Sequence, residues 1–254
     1  MLVTIRKIMR SIVRKVLAAG GLGPAAYHYH DHFYRDNIMR QCFIYIRTNL
    51  VEGDYLHFGV GSGADFISSY ECYKPWLKVP YTTKSGNIVD TRRHFYAFDS
   101  FQGIPSPQDE YYGKYNKGGW SYSRESFVKR LNESNIPAAH YTIIEGYYED
   151  VLTEDLRKSL PLEKAAIVVF DCDLYESTMS ALRFVYPYLQ SGTLLLMAEY
   201  FNYGGDFSRG MARAVSDYLE EQGGKCRFNP WKPYGTSGMV FIFQKPQDKI
   251  KRGA

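Results

Sequence analysis

The sequence is poor in cysteine: four residues in 254, Cys42, Cys72, Cys172 and Cys226, with no C-x-x-C pair among them. That spacing suggests neither a zinc ribbon nor a disulfide scaffold, and with no secretory leader pattern a reducing, cytoplasmic setting is expected. Long apolar runs are also missing. The apolar residues near the start are interrupted by charge every two or three positions, far short of the roughly 20 that a membrane span requires. Internal repeats and low-complexity linkers are absent. With 45% hydrophobic and 23% charged residues, disorder and collagen-like repeats are excluded. Charge of one sign is scarce outside a single segment. The net charge is +4, yet Arg6, Lys7, Arg10, Arg14 and Lys15 stand in the first fifteen residues without an acid; setting them aside, the 31 basic residues fall to 26, against 27 acidic ones. An excess so confined argues against a nucleic-acid groove across the fold and points to a local contact by that segment. Aromatic residues, by contrast, are plentiful: 23 Tyr and 15 Phe, more than a core needs, so spare tyrosines can stack on a sugar or a flat ring.

Residues 2–17 space Ile5, Ile8, Met9, Ile12, Val13 and Val16 at three and four, with the five cations between them. This predicts a basic amphipathic helix, packed on its own domain or on a second copy of the chain in the favoured reading, and lying on an anionic membrane surface in the other. A second helix is expected over Asp36 to Thr48. The two together form an extension over 1–50, ahead of a domain over 51–254. In that domain short apolar runs recur at Tyr55 to Val60, His94 to Phe98, Tyr141 to Ile144, Ala166 to Phe170 and Thr193 to Ala198. Helical patterns separate several of them, at Ser123 to Asn132, Ser177 to Leu189 and Ser208 to Gln222. Buried strands alternating with amphipathic helices describe an α/β fold, a doubly wound parallel sheet covered on both faces. Past Gly224 the rhythm breaks: Lys225 to Asn229 and Met239 to Phe243 have no helix between them and predict an antiparallel pair at the sheet edge. Cys72 to Arg93 and Gln102 to Tyr122 are long irregular insertions, the natural lids.

In such a sheet, ligands bind beyond the carboxyl ends of the strands. The first run ends in Gly59-Val60-Gly61-Ser62-Gly63, glycines that permit a tight turn and close backbone approach to a nucleotide or nucleoside. With Ala64 the loop also satisfies G-x-G-x-x-A, so a nicotinamide enzyme has to be weighed. The second run ends at Asp99, placed to accept both hydroxyls of a ribose, as either NAD or S-adenosylmethionine requires. Asp99 lies 36 residues after Gly63, well beyond the roughly 20 of the dinucleotide fingerprint, which weakens the nicotinamide reading. The fourth run ends in Asp171-Cys172-Asp173-Leu174-Tyr175-Glu176-Ser177-Thr178. Extended geometry would turn Asp171 and Asp173 to one side, and the fifth run adds Glu199 from a neighbouring strand end. Three carboxylates at one rim signal a divalent metal, a general base, or both; helix capping by one of them, or by Ser177, is the structural alternative.

These motifs, in this order, resemble class I S-adenosylmethionine-dependent methyltransferases, and more narrowly the TylF/MycF-type sugar O-methyltransferases of macrolide biosynthesis. The resemblance spans about residues 51 to 245. It rests on Asp99-Ser100-Phe101-x-Gly103-x-Pro105, on Asp171-x-Asp173-Leu174-Tyr175-x-Ser177-Thr178 with Tyr186-Pro187 and Gly192 following, and on Glu199-Tyr200. It implies a Rossmann-like, mostly parallel seven-stranded sheet with an antiparallel edge hairpin. It further implies that Gly59, Gly61 and Gly63 hold the methionine part of S-adenosylmethionine, that Asp99 and Ser100 bind its ribose, that Gly146 and Tyr147 border the adenine, and that Asp171 lies near the cofactor. In that family the acids after strands four and five hold magnesium beside the hydroxyl that is methylated, which would make Asp171, Asp173 and Glu199 the metal ligands. The family's Asp-Asp pair after strand five is Ala198-Glu199 here, so one ligand is missing and another is lengthened. The usual acid before the first glycine step is His57. The family's larger N-terminal region is replaced by a short stretch holding His28, His30, Asp31 and His32, read as a surface or lid segment.

The expected reaction is methyl transfer to a hydroxyl of a sugar-containing acceptor, with Asp173 or Glu199 as the base. A nicotinamide-dependent oxidoreductase is the rival enzyme; its Y-x-x-x-K signature occurs only at Tyr70 to Lys74, directly after the glycine loop and out of place. A non-catalytic protein of the same fold that binds a glycan or partner is the rival outside catalysis. Association into a homo-oligomer through the first helix is also expected.

Overall fold

The computed structural model describes residues 38–78, 81–82, 88–89, 92–106 and 116–246. The basic helix expected at 2–17 and the His28 to His32 run lie outside them. A helix through 38–48 leads to β1 (Asp54–Phe58), followed by a helix over Ala64–Tyr73, a 3-10 turn over Lys74–Lys78 and a small ladder of β2 (Tyr81–Thr82) and β3 (Ile88–Val89). Then come β4 (Phe95–Asp99), a helix over Arg124–Glu133, β5 (Tyr141–Glu145), short helices over Tyr148–Val151 and Glu154–Ser159, and β6 (Ala165–Phe170). A helix over Tyr175–Val185, β7 (Leu189–Met197), a helix over Gly210–Glu221, β8 (Arg227–Tyr234) and β9 (Gly238–Gln244) complete the chain.

The strands other than β2 and β3 form one seven-stranded sheet in the order β5-β4-β1-β6-β7-β9-β8. The first five are parallel, while β9 runs antiparallel to both β7 and β8. The expected fold class is therefore the observed one. Two-residue alternation assigns each side chain to a face: Leu56 and Phe58 of β1 join the core under the helices Tyr175–Val185 and Gly210–Glu221, and Tyr55 joins the core on the opposite face. Phe58 stacks between Phe98 and Phe170, with centroids at 4.3 and 5.7 Å, tying β1 to both neighbours. Each such fully buried ring contributes about 1.5–3 kcal/mol. Ile38, Met39, Cys42, Phe43 and Ile46 are buried in the same core as Tyr55, so the 38–48 helix covers the face of the sheet that carries Tyr55.

Boundaries differ from expectation where proline intervenes. The helix expected over Ser177 to Leu189 starts two residues earlier and stops at Val185, because Pro187 cannot donate to a continuing helix; a 3-10 turn over Tyr186–Tyr188 then feeds β7, four residues before the expected Thr193. β8 continues through Pro230 and Pro233, which an edge strand tolerates because it need not donate on its open side.

Candidate functional site

The chain order reverses between β1 and β6, and the loops that leave the carboxyl ends of β1, β4, β5 and β6 surround one cavity of about 170 Å³. Gly59, Gly61, Asp99, Ser100, Gly146, Tyr147, Asp171 and Asp173 all line it. It is roofed by Trp120, brought over from the second insertion. That insertion is anchored by paired backbone bonds: Ile104 N–H donates to Gly119 O at 3.0 Å, and Gly118 N–H to Ile104 O at 2.8 Å.

The glycines have separate tasks. Gly59 (φ 85°) sits where β1 and β6 diverge; a Cβ there would come within 2.0 Å of the Asp171 carbonyl oxygen. Gly61 (φ 46°) faces more open space, with the Tyr122 ring 3.7 Å from a built Cβ. Gly63 (φ 81°) is not among the lining residues; it begins the Ala64–Tyr73 helix against the Phe127 ring, where a Cβ would meet ring carbon at 2.6 Å.

Asp99 organises the loop as well as facing the cavity. Its Oδ2 accepts from the Gly61 amide and its Oδ1 from the Phe101 amide, both at 2.8 Å. The Val60 amide also bonds to this carboxylate, and with about four acceptor positions it keeps room for a further donor such as a ribose hydroxyl. Burial raises its pKa, opposed by the Phe101 and Gly61 amides and by His57. Ser100 Oγ donates to Gly103 O at 3.0 Å and accepts from the Gln102 amide at 3.1 Å, closing the turn that presents Asp99. The Gly146 amide donates to the Asp99 carbonyl at 3.0 Å, fixing the β5 loop beside it.

The acidic segment departs from the expected extended geometry. β6 ends at Phe170 and Asp173 is left-handed (φ 59°), yet Asp171 and Asp173 still reach the same cavity. The following helix has Leu174 at its N-cap, so the N-cap position itself is filled by neither Asp173 nor Ser177. Glu199, in the turn after β7, is not among the lining residues. It is close enough to act with Asp173 and Asp171 on the half-buried Cys172 thiol. Burial pushes that thiol well above its usual value, a bond with Thr178 opposes this, and the three acids add to the rise.

The magnesium that the resemblance implies can be tested against these donors. Ala198 places a buried methyl where an acid is expected, and among the described residues no three His, Cys, Asp or Glu side chains are grouped to hold a metal ion. The three acids are thus not gathered into a ready-made cage, and only Asp171 and Asp173 share the cavity. Sequence reasoning missed Trp120 and Tyr148, the latter lining the cavity with its hydroxyl 3.3 Å from the Phe98 carbonyl. Nothing in local spacing marks either, since both arrive through tertiary closure.

Among curated proteins, the chain is 25% identical over 186 residues to demethyldecarbamoylnovobiocin O-methyltransferase of Streptomyces niveus, covering 70% of this chain and 64% of that protein. It therefore spans less than two thirds of that relative's length. Among solved structures, the O-methyltransferase NovP superposes with a TM-score of 0.64 at 22% identity, over 83% of this chain and 80% of that one. The calicheamicin methyltransferase CalS11, described for its apo form as a TDP-rhamnose 3'-O-methyltransferase, gives a TM-score of 0.62 at 18% identity, over 82% and 77%. These likenesses establish the fold. Residues 33–227 match the macrocin O-methyltransferase (TylF) family, most of the chain including every strand end that lines the cavity, and the chain belongs to that family.

Proposed function

We propose that the protein transfers a methyl group from S-adenosylmethionine to a hydroxyl of a sugar or glycoside. The observation that carries the reading is the single cavity into which four strand ends deliver the glycine turn, Asp99 with Ser100, Gly146 with Tyr147, and the Asp171/Asp173 pair. Family membership supports methyl transfer, and the O-methyltransferases named above, CalS11 among them described as acting on a TDP-sugar, support the acceptor class.

Gly59 and Gly61 allow the methionine part of the donor to approach the backbone, Asp99 takes the ribose diol, and Gly146 and Tyr147 border the adenine. The acceptor oxygen attacks the methyl carbon in line with the departing sulfur; the C–S bond breaks as the new C–O bond forms, and S-adenosylhomocysteine leaves. A sugar hydroxyl is a poor nucleophile at neutral pH, so the proton needs a base within reach. Asp173 is assigned that role over Glu199 because it lines the cavity, while Asp171 sits nearer the glycine turn, under whose first glycine its carbonyl lies. Orientation of the two reactants supplies the remainder of the acceleration.

The test is thermal stabilisation by S-adenosylhomocysteine set against NADH, followed by a screen of nucleotide sugars and glycosides with methyl-labelled donor. Stabilisation by the homocysteine product and label in a sugar are expected. Stabilisation by NADH alone would reverse the reading to an oxidoreductase, and donor binding with no labelled acceptor would leave a binding protein.

A further inference from the structure

His57 is the one buried polar side chain of β1. It is 1% exposed and stands in register with Val169 of β6, with Asp171 two residues further along the same face. Its ring is fixed on one side. Nδ1 lies 2.9 Å from the Tyr55 hydroxyl, which is itself 3.0 Å from Ser69 Oγ. The ring also touches Tyr55 and Phe66, with centroids at 5.9 and 6.2 Å, so it cannot swing away. The other nitrogen, Nε2, is fully buried without a hydrogen bond and faces Asp171 Oδ2 at 3.7 Å. Native structures rarely leave such an atom unsatisfied, because a buried polar group without a partner loses its bonds to water and gains none in return. The remaining gap is about 0.9 Å beyond a charge-assisted hydrogen bond of about 2.8 Å. A small rotation of the Asp171 carboxylate closes it, whereas the imidazole has no freedom to do so.

We infer that His57 is a positioning residue that acts through Asp171: with the cavity filled, its protonated Nε2 donates to Asp171 Oδ2 and holds that carboxylate toward the donor. His57 itself is not among the cavity's lining residues, so its effect on binding passes through the carboxylates it faces: Asp171, 3.7 Å away, and more weakly Asp99, whose charged form it also favours. The chain from Ser69 through Tyr55 sets the angle of the ring, and the β1/β6 register sets its height. The proposal rests on the donor-binding reading above, and it explains how a histidine can stand where the resemblance expects an acid: the residue supports the rim from inside the sheet.

A double-mutant cycle on S-adenosylhomocysteine affinity, read by calorimetry with a melting curve for every variant, separates positioning from packing. His57→Phe keeps the bulk and is expected to weaken binding about tenfold, while His57→Gln keeps a donor near the Nε2 position and stays within about twofold of wild type. In an Asp171→Asn background, His57→Phe should have almost no further effect. Equal losses in both backgrounds, or no loss from His57→Phe in the wild type, would overturn the proposal. A second measurement needs no ligand: the ring NMR signals of His57 in the free protein should move on Asp171→Asn, and unchanged signals would also overturn it. A wild-type chain that fails to bind S-adenosylhomocysteine would instead sink the donor reading, leaving the NMR comparison to judge the contact.

Discussion

Gly59 and Gly61 lie two residues apart in one turn, both at positive φ, yet alanine should damage the protein in different ways at the two sites. At Gly59 the added carbon meets the Asp171 carbonyl oxygen at 2.0 Å and its carbon at 2.7 Å. Both are backbone atoms, so no rotamer relieves the clash and the ends of β1 and β6 must separate. Gly59→Ala is expected to cost more than about 4 kcal/mol and to yield little folded protein. At Gly61 the nearest atoms are Tyr122 ring carbons at 3.7 Å, an ordinary contact, so Gly61→Ala bears only the left-handed backbone cost of about 1–2 kcal/mol. For a chain of this size that lowers the melting temperature by roughly 2–8 °C. The new methyl, however, projects where the donor approaches. Suppose it weakens S-adenosylhomocysteine about 100-fold. At a ligand concentration of about 100 times the wild-type Kd, the wild type gains about 2.7 kcal/mol, or roughly 5–11 °C. The variant, then at its own Kd, gains only about 0.4 kcal/mol, roughly 1 °C. Scanning fluorimetry with and without ligand reads both quantities. A Gly61→Ala protein stabilised by the ligand as strongly as the wild type would refute the placement of the donor, and a Gly59→Ala protein melting within about 2 °C of wild type would refute the account of the turn.

Asp173→Asn should lower kcat by about 100-fold or more while S-adenosylhomocysteine affinity changes less than about threefold; an equal loss in both would make Asp173 a binding residue and not the base. Cys172 lines the cavity, but its thiol is held well above the usual value, so little thiolate exists at pH 7 to 8. Its alkylation, followed by mass spectrometry, should be slower than that of a free cysteine at pH 8 and should accelerate as pH rises toward 10; rapid labelling at pH 7 would contradict the burial of the thiol and the acids around it. Trp120 is 54% exposed at the cavity, whereas Trp76 and Trp231 pack against the core on the 38–48 side of the sheet. Ligand binding should therefore change tryptophan fluorescence in the wild type and not in Trp120→Phe, and a change that survives the substitution would place the ligand elsewhere.

The parts of the site that were legible in the sequence obey the strand-end rule. Gly59, Gly61, Asp99, Gly146, Tyr147, Asp171 and Asp173 each follow a recognisable apolar run, and a parallel sheet collects such positions at one edge whatever lies between them. The antiparallel edge was legible for a similar reason, since the missing helix between β8 and β9 permits only a hairpin. Residues whose role depends on contacts made across the chain were not legible. Gly63 reads as a third cofactor glycine, but it is the ring of Phe127, 64 positions away, that requires it to lack a side chain. Trp120 roofs the cavity only because Ile104 and Gly119 pair their backbones. Asp173 escapes the period-2 rule because the strand has already ended at Phe170 and the chain turns left-handed, a conformation that aspartate tolerates better than most residues.

The same distinction changes the meaning of the acidic cluster. Sequence counting gives three carboxylates and invites a cation between them. In the folded chain all three act electrostatically on the thiol of Cys172, Asp171 and Asp173 line the cavity, and the buried methyl of Ala198 replaces a fourth acid. Crowded carboxylates without a cation need another source of stabilisation or must give up a charge. One source for Asp171 lies beneath it, where the imidazole of His57 stands 3.7 Å away and is held by Tyr55, itself bonded to Ser69. A rim supported in this way leaves Asp173, two residues on, as the carboxylate whose protonation can change during the reaction without disturbing the donor. That separation of duties predicts that Asp171→Asn and Asp173→Asn fail differently, the first chiefly in S-adenosylhomocysteine affinity and the second chiefly in kcat. Identical kinetic signatures for the two variants would mean that the pair acts as one unit and that the division between them is wrong.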